Sequence, residues 1–136
     1  MKIKFILLLF VLTMLFALVS FTSFSEPKYN DIDDVVTIDI PENVKAIIDN
    51  KCMSCHSDEA KGGKSKMKMN FDKLSNGDYS TGKVISKLDK IVKMLGKDKM
   101  PPEKFLAKNP DKKLTSEETK LISDWASSQS SMMKGE

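Results

Sequence analysis

The chain has 136 residues with a formal net charge of +3, enough for one domain and a tail. All 22 basic residues are lysine, and removing Lys2 and Lys4 with an N-terminal leader leaves 20 against 19 acidic residues. A near-neutral chain without arginine excludes a nucleic-acid binder, which needs basic patches and guanidinium contacts.

Residues 1–25 read as a signal peptide or an N-terminal membrane anchor. Met1 to Lys4 is a short basic segment, Phe5 to Val19 is apolar apart from Thr13, and Ser23-Phe24-Ser25 offers a small-x-small cleavage site. The apolar run is short for a span, which needs about 20 residues, and cleavage is the favoured reading. Residues 26–39 form an acidic tether. Val36, Ile38 and Ile40 alternate within it, so its end is expected to be extended and to lie on the domain as an arm, or to remain a disordered linker.

The domain proper is expected over residues 40–127. Pro41 suits the first position of a helix, and Val44, Ile47 and Ile48 form an apolar stripe running into Cys52. There follows Cys52-Met53-Ser54-Cys55-His56, holding both cysteines and the only histidine of the chain. C-x-x-C-H is the pattern of c-type haem attachment. Positions i, i+3 and i+4 share one helical face, so two thiols can bond the vinyl groups of haem while the imidazole of His56 ligates the iron. Zinc would need more ligands than this chain offers, and a thioredoxin-like pair would need a βαβ setting that is missing here. Covalent attachment also consumes both thiols, which suits an oxidising compartment.

Residues 57–80 read as a polar loop with a short extended piece at Met67 to Phe71. Lys61, Lys64, Lys66 and Lys68 there are either a solvated cluster or a docking patch for an acidic redox partner. Ser80 or Thr81 caps a second long helix, with Val84, Ile85, Leu88, Ile91, Val92 and Leu95 inward, ended by Gly96. Met94 lies off that stripe and reads as a space filler. Residues 97–111 form a loop containing Met100-Pro101-Pro102. Thr115 and Glu118 then make a capping box for a last helix with Leu121, Ile122, Trp125 and Ala126 inward. Residues 128–136 are expected to be a flexible tail.

With no second histidine, the other axial position falls to a methionine. Met100 is the preferred candidate because the two prolines after it stiffen its loop. Met69 and Met67 remain alternatives.

Taken together, the Cys52–His56 motif, the middle helix, Met100-Pro101-Pro102 and the Leu114 to Trp125 segment resemble the small mono-haem c-type cytochromes. They are most similar to the bacterial exported haem-binding domain family, over about Ile40 to Ala126. The resemblance implies an all-α, cytochrome c-like fold with three to four helices around one haem c. It implies His56 as proximal and Met100 as distal ligand of the iron. It also implies attachment outside the bacterial inner membrane, in a periplasmic protein or one anchored on the outer side. With both axial positions filled, the expectation is a single-electron carrier serving redox partner proteins and not an enzyme. A haem-based sensor or weak peroxidase with a labile Met100 is the alternative.

Overall fold

The computed structural model describes residues 36–136; the leader and most of the acidic tether lie outside the described residues. Among the described residues every regular element is helical. The arm, residues 36–40, is extended without pairing as a strand. It buries Ile38, tucks Ile40 partly against the core, and accepts a 3.1 Å hydrogen bond at the Asp39 carbonyl from Trp125 Nε1. Alternation places Ile38 and Ile40 on one side, as expected, and the indole pins the segment down.

Helix α1, Glu42–Lys51, starts one residue later than expected, with Pro41 at the cap position, and buries Val44 and Ile48. A single turn, α2, Met53–His56, follows at once. The expected loop over residues 57–80 contains two short helices, α3 at Gly63–Lys68 and α4 at Phe71–Ser75. Only Met69 and Asn70 between them are extended, within the piece expected at Met67 to Phe71. Asn70 explains the change of direction. Its side chain accepts from Lys73 N at 3.1 Å, capping α4, and its amide donates to Asp58 Oδ1 at 2.8 Å. Phe71 and Leu74, three positions apart, then bury themselves on one face.

Helix α5, Thr81–Leu95, buries Val84, Leu88 and Leu95. Gly96 ends it, but in a right-handed conformation with φ −64°, and the positive φ falls instead on Asp98, at 49°. The benefit of glycine here is space, since a Cβ would sit 3.3 Å from the Val92 carbonyl oxygen. The next stretch is not wholly loop: it holds α6, Glu103–Leu106, and a 3-10 turn, Pro110–Lys112. Helix α7, Ser116–Lys134, opens with the expected capping box. Glu118 N donates to Thr115 Oγ1 at 3.1 Å and Thr115 N donates to Glu118 Oε2 at 2.8 Å.

The flexible tail expected over residues 128–136 is a correction. Helix α7 runs on to Lys134, and a left-handed Gly135 with φ 75° closes it. Ser130 is buried there and donates to Asp89 Oδ1 at 2.5 Å, while Met133 packs on the core. Position at the chain end suggested fraying, but the Ser130–Asp89 hydrogen bond and Met133 hold these turns on the domain. The α5–α7 pair is the main helix packing of the domain, with α1 against α7 beside it.

Lys51 joins the end of α1 to the start of α7. Its ammonium reaches Glu118 Oε2 at 2.6 Å and the Lys113 carbonyl at 2.8 Å, and only 9% of its side chain is exposed. The Lys51 ammonium and then the Thr115 N–H hold the Glu118 carboxyl below its ordinary value. A depressed carboxyl stabilises the fold above its unfolded pKa of about 4.3 and loses that contribution as the pH falls below it. Glu118→Ala should therefore cost about 1–2 kcal/mol at pH 7, from the lost cap and the orphaned ammonium. Thermal unfolding of both proteins at pH 7 and pH 3 checks this, and the difference should shrink at the lower pH.

Candidate functional site

Cys52 is the last cap of α1, its N–H donating to the Ile48 carbonyl at 2.8 Å. The Cys52 carbonyl in turn accepts from the N–H groups of both Cys55 and His56 at 3.1 Å. One tight turn thus sets the spacing of the motif. Cys52 and His56 face a common, partly open cavity of about 100 Å³.

The cavity walls come from separate parts of the chain. Met69 and Phe71 contribute from the α3–α4 joint, Ile91, Met94 and Leu95 from α5, Met100 from the following loop, and Ile122 from α7. Cys55 is partly buried one turn from Cys52 but does not line this cavity.

His56 is oriented by the backbone. Its Nδ1 lies 3.0 Å from the Met69 carbonyl oxygen. A carbonyl only accepts, so Nδ1 carries the proton and the neutral ring has its lone pair on Nε2. This is how metal-binding imidazoles are commonly held. Phe71 adds an edge-on contact, with ring centroids 6.3 Å apart at 87°.

Met100 follows a loop fastened by two backbone bonds of 3.0 Å, from Lys99 N to the Met94 carbonyl and from Asp98 N to the Leu95 carbonyl. Half-buried, it lines the same cavity as His56. Of the two alternatives, Met69 is buried in the lining, whereas Met67 is 73% exposed and does not line it. Met94, read from sequence as a filler, is a lining residue too. The signal was present in the sequence, since Met94 stands three residues after Ile91 and next to Leu95 on a helix. The Asn70 cap and the Met69 carbonyl were also missed, because a backbone acceptor leaves no mark in the residue pattern.

Two thiols, an imidazole with Nε2 free to ligate, thioethers in the lining and largely apolar walls form a donor set that fits haem. Residues 62–128 match a family described as a haem-binding domain. The matched span contains Met69, α5, Met100 and the first part of α7, and begins beyond Cys52–His56. No curated protein and no solved structure matches the chain.

Burial, and after it the neighbouring Cys55 charge, pushes the Cys52 thiol up to about 11. The thiolate is the reactive form, so a rise of roughly two units slows alkylation about 100-fold near pH 8. Before haem is attached, Cys52 should react with iodoacetamide far more slowly in the native chain than in urea, which site-resolved mass spectrometry measures.

Proposed function

We propose that this chain, a member of the haem-binding domain family over residues 62–128, is an exported mono-haem c-type cytochrome that passes single electrons between partner proteins. The observation that carries this reading is the meeting of Cys52, His56 and Met100 at one cavity with largely apolar walls. Cys52 and Cys55 would form the thioethers. His56, its Nδ1 proton held by the Met69 carbonyl, would present Nε2 to the iron, and Met100 would offer sulfur as the second axial ligand. A haem iron bound by His and Met supplies reversible one-electron chemistry at a raised potential. The surrounding Phe71, Ile91, Leu95 and Ile122 exclude water from it.

With both axial positions taken, the reading is of an electron carrier and not an enzyme. The leader read at residues 1–25 supports a periplasmic protein, or one anchored on the outer side of the inner membrane. No helix among the described residues is long and apolar enough to cross a membrane.

Production alongside the c-type attachment machinery tests the proposal. The protein should gain the mass of one haem and show a low-spin spectrum when reduced and when oxidised. A colourless product without added mass would overturn it. Met100→Ala should turn the iron high-spin and let carbon monoxide bind the ferrous form. An unchanged low-spin spectrum would move the sulfur ligand to Met69 or Met94. Ready carbon monoxide binding by the unaltered protein would favour a ligand sensor or weak peroxidase.

A further inference from the structure

The apolar cavity has a cationic rim. Lys68 at the end of α3 and Lys87 and Lys90 on α5 all border it. Lys87 is the most constrained of the three. Its ammonium donates to the carbonyls of Met67 at 3.1 Å and Lys68 at 2.5 Å, and lies 5.3 Å from the centre of the Tyr79 ring. Lys83 stands over the same ring at 5.2 Å. An ammonium has three donors, so two carbonyls leave Lys87 one N–H for another acceptor.

Among the described residues Lys68, Lys83, Lys87 and Lys90 have no carboxylate within ion-pair distance. Lys51 makes the contrast, since that buried ammonium has Glu118 at 2.6 Å. Burial, followed by the charges of Lys83 and Lys90, pushes the Lys87 ammonium below its ordinary value. Burial, and after it the charges of Asp58 and Asp78, raises the Tyr79 hydroxyl. A partly buried ammonium crowded by its own sign gains from an anion that reaches it.

We propose that Lys87, with Lys68 and Lys90, forms an anion-binding rim that holds the carboxylates of the bound haem. Haem carries vinyl groups on one side and two carboxylates on another, so thiols at Cys52 and Cys55 and ammonium groups at the rim would together fix its orientation. The inference rests on the proposed function, and adds to it the residues that set which edge faces solvent.

The test uses four matured, haem-loaded proteins: the unaltered chain, Lys87→Gln, the triple variant Lys68→Gln/Lys87→Gln/Lys90→Gln, and Lys93→Gln. Lys93 is an exposed lysine of α5 outside the cavity lining. The midpoint potential is followed from pH 5 to pH 8. A carboxylate held by ammonium groups stays ionised over this window, so the unaltered protein and Lys93→Gln should give flat profiles. Without the rim a haem carboxyl titrates inside the window, and the potential falls as the pH rises. A difference of about one unit in that pKa between ferric and ferrous forms changes their ratio at fixed potential about tenfold across the window, which is the shift expected of the triple variant. Lys87→Gln should shift less, and Lys87→Arg should restore the flat profile. Should the triple variant fail to mature, the Lys87→Gln and Lys87→Arg pair decides alone. Parallel profiles in pigmented proteins would overturn this inference and leave the proposed function standing. They are also the outcome if the lysines serve only an acidic partner protein or only tie down the Met67–Lys68 backbone. Absence of haem from the unaltered protein would overturn both.

Discussion

The hydrogen bond between His56 Nδ1 and the Met69 carbonyl is the constraint on which the site depends. It decides which ring nitrogen faces the cavity, and it can exist only if Met69 is extended with its carbonyl turned toward α2. Asn70 secures that geometry by capping α4 directly after the extended pair. Lys87 secures it from the other side by holding the carbonyls just before Met69. A segment of lysine-rich composition thus serves as a fixed bracket for an imidazole thirteen residues earlier.

Helix α5 has three different duties around its circumference. Val84, Leu88 and Leu95 are core, Ile91 and Met94 face the cavity, and Lys87 and Lys90 meet its rim. Such a division is possible because neighbouring positions on a helix are 100° apart, so a stripe wide enough for a core also has edges. Lys93, outside the cavity lining, remains in water. The low polarity on the cavity side raises the cost of any charge placed there. That cost appears twice, as the raised thiol of Cys52 and the lowered ammonium of Lys87.

The parts legible in the sequence were those governed by periodicity or by caps made within one stretch. The stripes of α1, α5 and α7 and the Thr115–Glu118 box stand where side-chain spacing places them, whereas Cys55, expected on one face with Cys52 and His56, does not line their cavity. What escaped depends on partners far along the chain. Asn70 reads as loop composition until Asp58 is beside it, and Ser130 reads as tail until Asp89 receives its hydroxyl. Gly96 misled for a related reason: glycine at a helix end suggests a left-handed residue, but here the crowded neighbour is the Val92 carbonyl and the turn is taken by Asp98.

The family match begins after the Cys52–His56 turn, and the structure shows what couples the two parts physically. Lys51 immediately precedes Cys52, and its ammonium is held by Glu118, the same residue that closes the capping box of α7. The end of α1 is therefore registered against the start of α7, which in turn packs along α5 and the cavity wall. A displacement of α1 would move Cys52 and His56 relative to Met94 and Met100, and it would also break a half-buried ion pair. Removing one partner of such a pair is costly because the other charge stays behind without water.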